Sequence, residues 1–478
     1  MDIYKYINDY ENDADKLIYQ AFFLLLFIPL LYLGFYNFIF SEIRTEWLNN
    51  AIQNPFYFNI NVEYLNYFKL ISKASTVAII INLFLIFLVN KIVKLDQNKI
   101  IKFYLPIYKI SWPVLKISTL MVVLTFLFMV VFLFNNIIPF FKPTQVYIIV
   151  MAGSSFGTLG AFFIIINIVY KFDKEPSYKI SGYCVSVNDQ PKLFNLIKNC
   201  SEKINSVFPD NILIGNTAGF FVTSHTLLVF NDEYERSCKG NSLYIPLVAL
   251  KVLTEDELIG IIGHELAHFS GKDTLYSEKI NPVIISLKKK LGLIQQGFEE
   301  SASEEGDRLA GFMYGFTRFF LYMILNPVIF IIINIIKKDL KISVNQELRA
   351  DKIGAGICKN KKSFITGLCK FCVYSMIWRS IDESESFNKN KKTLTAEFDK
   401  FFKKYITEFN PKNDLKYIMD YQMLHPSDTH PPIYKRAKNL KLNANEIRKS
   451  DLIKTSPSSS NFIINYDTLD KKLTNIFK

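Results

Sequence analysis

Thr254-Glu255-Asp256-Glu257-Leu258-Ile259-Gly260-Ile261-Ile262-Gly263-His264-Glu265-Leu266-Ala267-His268-Phe269-Ser270-Gly271 is the stretch that decides what kind of molecule this is. Thr254 followed three residues later by Glu257 is a capping-box pattern, and acidic residues at 255–257 suit the positive end of a helix. A helix therefore starts there, with Leu258, Ile261, Ile262 and Leu266 as its apolar positions and Gly271 as its stop. Residues four apart lie on one helical face, so His264 and His268 can point at one zinc ion, with Glu265 turned enough to reach a water on it. The chemistry needs neutral imidazoles, an open position for water, and a carboxylate that takes the proton as the water attacks a peptide carbonyl. The chain holds only five histidines. Their spacing here would arise by chance about 0.003 times in such a chain, so two ordinary polar helix residues are much the weaker reading.

A zinc site of this type requires a third protein ligand, and no nearby histidine supplies it. Glu347, in Asn345-Gln346-Glu347-Leu348-Arg349-Ala350-Asp351, is the leading acid. Asp351 lies one turn further on the same face and can accept the second ring proton of His264 or His268, fixing its tautomer. A solvated acidic helix face is the competing reading, and Glu299, Glu300, Glu304 and Glu305 compete as ligands.

Outside these segments the composition points to a membrane. Half of the 478 residues are apolar, with 43 Phe and 26 Tyr. That, with the long charge-free apolar runs, excludes a small disulfide-stapled domain, a disordered chain and a purely water-soluble enzyme. Apolar runs at 21–40, 74–90, 117–141 and 143–170 read as four crossings. Lys73 and Lys91 bracket the short second run, and Gly153, Gly157 and Gly160 mark close helix contacts in the last. The first run follows Asp9, Glu11, Asp13 and Asp15 and is too long for a cleaved signal core, so it stays as an anchor. Lys91, Lys94, Lys99, Lys102, Lys109 and Lys116 place the loop 91–116 in the cytoplasm, and with it the N-terminus and everything after Lys171. The net charge of +12 is mostly scattered lysine. With no zinc-finger spacing, arginine-rich tract or RNA-binding aromatic signature, nucleic acid is not a partner.

After the fourth run, 179–187, 212–215 and 219–230 read as strands and 190–206 as a helix. The charged run 388–404 reads as a solvated face, and 443–478, with Ser456-Pro457-Ser458-Ser459-Ser460, as a loosely packed tail. Of the six cysteines only Cys369 and Cys372 have a ligand-like or redox-like spacing. No second pair accompanies them, so they read as helix cysteines in a reducing compartment.

Three motifs in order give the chain a resemblance: Leu258 to His268 with Gly271 and Asp273, then Glu347 with Ala350 and Asp351, then Thr429-His430-Pro431-Pro432 with Arg436. It resembles membrane-bound gluzincin peptidases, which include the HtpX-like quality-control proteases and the CaaX-prenyl endopeptidases, over residues 180–440. The resemblance implies that His264, His268 and Glu347 bind one catalytic zinc ion, that Glu265 is the general base and that Asp351 supports the site. It also implies that His430 and Arg436 approach the catalytic centre, where a donor or cation stabilises the developing oxyanion. One departure stands out. Where family members carry an Asn-Ala-x-Ala-type substrate-pairing strand, this chain has Asn216-Thr217-Ala218-Gly219-Phe220-Phe221. A strand at 219–223 can still pair with a peptide, and Ser242 to Leu250 resembles a less-characterised branch of the family.

A further apolar stretch, 319–336, separates His268 from Glu347. A single crossing there would put the ligands on opposite sides of a bilayer, so the stretch is expected to re-enter around Asn326-Pro327 or to lie on the surface, a compensating crossing at 283–294 being made costly by Lys288, Lys289 and Lys290. The expected fold is thus a multi-pass α-helical membrane protein with a predominantly helical α+β zincin peptidase domain. Its parts are a membrane region at 1–170, the first peptidase part at 171–311, the re-entrant or surface-lying segment at 312–338, the second peptidase part at 339–442, and the tail at 443–478. The expected activity is zinc-dependent endopeptidase cleavage of membrane-associated or misfolded polypeptides at the cytoplasmic face of a cell or inner membrane, with the lipid bilayer as a partner. A narrow processing peptidase for a lipid-modified or peptide precursor and a non-enzymatic membrane scaffold with a degenerate metal site are the alternatives.

Overall fold

The computed structural model describes residues 178–271, 339–382, 393–420, 430–443 and 446–477, with scattered positions between 30 and 84, 273 and 292, and 333 and 337. The chain divides into two compact units, Met1–Asp173 with Ile284–Lys338, and Lys174–Val283 with Asp339–Lys478. In the first, the described positions are helical, and the Thr76 hydroxyl donates to the Ser72 carbonyl at 2.9 Å.

The second unit opens with strands β1 (Tyr178–Ser181) and β2 (Tyr183–Val185). Gly182 separates them at a φ of +156°, and a Cβ there would stand 2.8 Å from the Ile214 carbonyl oxygen. Only glycine lets the chain pass so close while changing sheets. Helix α1 (Pro191–Lys203) follows, then β3 (Asn211–Gly215), β4 (Phe221–Thr223), β5 (Leu227–Phe230), β6 (Glu235–Cys238) and β7 (Ser242–Pro246). The strands form one sheet in the order β1-β5-β6 and another in the order β2-β3-β7-β4. β3 and β7 are parallel, from Asn211 opposite Ser242 to Gly215 opposite Pro246. Their Ile212, Leu213, Ile214, Leu243, Tyr244 and Ile245 are fully buried, as inner strands with both faces covered should be. β4 pairs antiparallel with β7 and ends that sheet among the described residues.

Helix α2 (Glu255–Ser270) starts where its capping box places it, with Thr254 accepting from the Glu257 backbone and the Glu257 side chain accepting from the Thr254 backbone. The same Glu257 is buried and takes a 2.7 Å bond from Lys370, while Thr366 donates to it at 2.9 Å. Residues 339–357 form helix α3. They are followed by α4 (Lys361–Asp382), α5 (Leu394–Glu408), α6 (Pro411–Asp420), α7 (Ile433–Asn439), α8 (Lys449–Ile453) and α9 (Tyr466–Phe477). One continuous core gathers Leu258, Ile262 and Leu266 of α2, Phe364, Leu368 and Val373 of α4, and Leu473 of α9.

Residues 446–477 are therefore packed, contrary to the loose tail their serine-rich composition implies. The Pro457 carbonyl accepts from the Glu255 amide at 2.9 Å, the Ser459 amide donates to the Leu253 carbonyl at 3.0 Å, and the Ser459 hydroxyl donates to the Leu250 carbonyl at 2.8 Å. Gln190 holds both backbone groups of Ile464, at 3.1 and 2.7 Å. The serines there close backbone hydrogen bonds at the start of α2 instead of meeting water.

The multi-pass membrane fold is corrected by this structure. Among the described residues no helix is long and apolar enough to cross a membrane, and the architecture is mixed α+β. The transmembrane description, the lipid-bilayer partner, the membrane localisation and action at a membrane face are corrected with it. α4 is the longest of the described helices. Its 22 residues could span a hydrocarbon core of about 30 Å, but Lys361, Lys362, Lys370, Arg379 and Asp382 interrupt it and its apolar face is buried in protein. Apolar richness in this unit fills a core: every residue from Leu247 to Leu250 is fully buried. The runs 117–141 and 143–170 lie outside the described residues, as do nearly all of 21–40, most of 74–90, and the segment 312–338 apart from Ile333, Ile336 and Lys337.

Candidate metal centre

α2 presents His264 and His268 on one face, their Nε2 atoms 3.3 Å apart and their rings edge to face. α3 brings in Glu347. One carboxylate oxygen, Oε2, lies 3.4 Å from His264 Nε2, and the other, Oε1, lies 3.4 Å from His268 Nε2. The helices approach closely enough for this because they meet through glycine. A Cβ at Gly354 would stand 2.6 Å from the Gly260 carbonyl oxygen and 2.8 Å from the His264 amide nitrogen. From that crossing, Asp351 and Glu347 reach back along α3 to the two imidazoles one turn apart.

Each histidine is oriented through its other nitrogen. His264 Nδ1 lies 3.0 Å from Asp351 Oδ1, and His268 Nδ1 lies 3.0 Å from Asp273 Oδ2. Arg436, almost completely buried, donates from Nε at 2.9 Å and from Nη2 at 2.5 Å to the two oxygens of Asp351. Arg349 forms an ion pair with Asp273. His430 also arrives at the cluster, its Nδ1 2.5 Å from Glu347 Oε2, and Arg436 Nη2 is 3.7 Å from the same oxygen. Glu265 is buried on α2, close enough to Arg436 for their charges to interact.

Burial opposes charge throughout this cluster, and the partners outweigh it. His264 is desolvated, yet the Glu347 carboxylate and the Asp351 hydrogen bond raise it to about 10. Glu347 pays the same burial penalty, but His430 and His264 hold it well below the carboxylate range; Asp351, also desolvated, is lowered by Arg436 and by its hydrogen bond with His264. The pocket thus favours positive charge at its centre.

His264, His268 and Glu347 offer ligand atoms that all lie within 4.8 Å of one another, a set that could hold a metal ion. The donor set fits zinc. Ligand bonds of about 2.0–2.1 Å in a tetrahedron separate the ligand atoms by about 3.3–3.4 Å; the two Nε2 atoms stand 3.3 Å apart, and Glu347 approaches each imidazole at 3.4 Å through a different oxygen, Oε2 to His264 and Oε1 to His268. Carboxylates on both Nδ1 atoms leave both Nε2 lone pairs for the centre.

Of the residues singled out from sequence, His264, His268, Glu347, Asp351, His430 and Arg436 come together in one cluster. Glu299, Glu300, Glu304 and Glu305 lie outside the described residues. Cys369 and Cys372 are fully buried on α4, and desolvation pushes both thiols up, Cys372 to about 12. Sequence reasoning missed what Asp273 and Arg349 do. Their pairing spans 76 residues, and the only local signal was a carboxylate soon after the second histidine. Just after β3, Asn216 is buried with neither amide atom hydrogen-bonded.

Comparison with known proteins converges on the same segment. Residues 238–444 match the family model for Peptidase family M48. The chain is 27 % identical over 197 residues to the Protease HtpX homolog of Syntrophobacter fumaroxidans, covering 40 % of this chain and 62 % of that protein. It is 29 % identical over 107 residues to the Protease HtpX homolog of Nostoc sp. and 28 % identical over 107 residues to that of Trichormus variabilis, in each case 22 % of this chain and 33 % of the relative. The chain thus spans less than two thirds of the length of these relatives. No solved structure matches it. None of these matches bears on CaaX-prenyl specificity. Over the part of its length that holds the cluster, the chain is a distant homologue of the M48, HtpX-like peptidases.

Proposed function

We propose that the protein is a zinc-dependent endopeptidase, with His264, His268 and Glu347 holding the metal. The observation that carries this reading is the convergence of His264, His268 and Glu347, whose ligand atoms all lie within 4.8 Å of one another, on a chain distantly homologous to metallopeptidases. When bound, zinc supplies Lewis acidity, acidifying a water and polarising a carbonyl. The remaining work belongs to the side chains. Asp351 and Asp273 hold protons on the two Nδ1 atoms, so that each Nε2 keeps its lone pair inward. Glu265 takes the proton of the attacking water and passes it to the departing amine. His430 steadies Glu347 and brings an imidazole to the place where negative charge develops on the carbonyl oxygen. Arg436 keeps Asp351 ionised and fixed. β4 ends its sheet among the described residues, and an extended polypeptide can add there by backbone pairing.

Glu265→Gln tests the mechanism. The variant is expected to retain close to one zinc per chain by metal analysis while losing cleavage of an unfolded protein substrate by at least about 100-fold. Full cleavage by that variant rejects Glu265 as the base. Absence of zinc from the wild-type protein rejects the centre itself.

A further inference from the structure

His268 has its own orienting device, separate from the one that serves His264. We propose that Asp273 and Arg349 are positioning residues that hold His268 Nδ1, and that Gly271 is a glycine because the Arg349 side chain occupies the space beside it. This rests on the zinc-centre reading above and deepens it.

Asp273 follows α2 in the chain, is 3 % exposed, and lies 3.0 Å from His268 Nδ1. A carboxylate buried this deeply beside an imidazole needs an opposite charge to remain in place. Arg349 supplies it from α3, two residues after the ligand Glu347, by pairing with Asp273. Its Nη2 also lies 3.5 Å from the Ala267 carbonyl oxygen, a cation at the last turn of α2, where the helix dipole favours one. One helix thus delivers both the acid that completes the ligand set and the cation that fixes the partner of the second histidine.

Gly271 supplies an independent observation. Its φ is −81°, a conformation open to any residue, so the backbone makes no demand for glycine. A Cβ built there falls on the guanidinium of Arg349. The missing side chain is a passage. The two devices, His264-Asp351-Arg436 and His268-Asp273-Arg349, therefore share one design but differ in exposure. The Arg436 side chain is 1 % exposed and that of Arg349 is 36 % exposed. The second arm works closer to water and should contribute less than the first.

The test is zinc affinity of the purified full chain, read by competition with a chromophoric chelator. Asp273→Asn is expected to weaken zinc binding about 10–100-fold, the range for partners of metal-bound histidines. Arg349→Met should weaken it several-fold, Arg349→Lys should recover part of that loss, and Gly271→Ala should reproduce Arg349→Met. Because Gly271→Ala and Arg349→Met remove the same contact, the double variant should bind no worse than either alone. A merely structural role would lower the melting temperature in chelator yet leave the zinc affinity of the folded protein unchanged, and that result overturns the proposal. If Asp273→Asn does not fold, the partly exposed Arg349 and Gly271 variants decide. Wild-type protein that binds no zinc overturns the peptidase reading and this pairing together. Tight wild-type binding with unchanged affinity in the variants overturns the pairing alone.

Discussion

Arg436 and Asp351 are both almost completely sealed from water, at 1 % and 0 % side-chain exposure. Such a pair is held by geometry: two guanidinium donors meet two carboxylate oxygens, and the carboxylate also meets His264. Removing one member strands the other charge in the core. Arg436→Met is therefore expected to destabilise the protein by about 3–5 kcal/mol, measured by urea unfolding in zinc, and to weaken zinc binding because Asp351 loses its hold. A change under 1 kcal/mol, by the same scale, would mean that water reaches Asp351. The His-Glu-x-x-His stretch was legible in the sequence because every part of it is local. Glu347 stood out locally only as the leading acid among several, and Arg436 needed a family resemblance, since nothing within a few residues of either says which histidine it meets.

Among the elements, α2 and α3 decide whether a centre exists at all. They pass tightly at Gly354, where the first added carbon would press on the Gly260 carbonyl and the His264 amide, at 2.6 and 2.8 Å. Backbone cannot yield as a side-chain tip can. Gly354→Ala should push α3 outward, costing about 1–3 kcal/mol of stability and at least tenfold in zinc affinity, read by chelator competition. Wild-type affinity in that variant would show that the crossing has slack. Capping residues and apolar spacing made α2 readable in advance. β6, Glu-Arg-Ser-Cys, carries no apolar alternation and becomes a strand only by pairing with β5. The segment 446–477 misled for a related reason: serines and a proline are loop signals locally, and its partners lie on the far side of the sequence.

At the scale of the molecule, the unit is assembled from two chain segments, 174–283 and 339–478, and the ligand set draws on both. Zinc should therefore raise the melting temperature roughly with the logarithm of its free concentration once that exceeds the dissociation constant, and chelator should remove that gain. In chelator, protons take over the balance. Glu347 and Asp351 titrate below their ordinary 4.5 and 3.8. Their stabilisation is present above those values and is lost as acid protonates them. His264, raised from 6.5 to about 10, stabilises fully below 6.5, and that contribution disappears as pH climbs toward 10. The cluster should thus help most between about pH 5 and 6.5. The decline above 6.5 should be absent from His264→Gln, as melting curves across pH will show. The same slope in both proteins would assign it elsewhere. Composition decided least at this scale, because apolar abundance alone does not distinguish a bilayer from a protein core, and in this unit stretches such as Leu247–Leu250 are core.

The bond from the Ser459 hydroxyl to the Leu250 carbonyl joins residues 209 positions apart. During translation at about 5–20 residues per second, the paired histidines leave the ribosome roughly 10–40 seconds before the strap that steadies their helix. A nascent chain thus carries the two imidazoles for many seconds before the segment that braces their helix has been made.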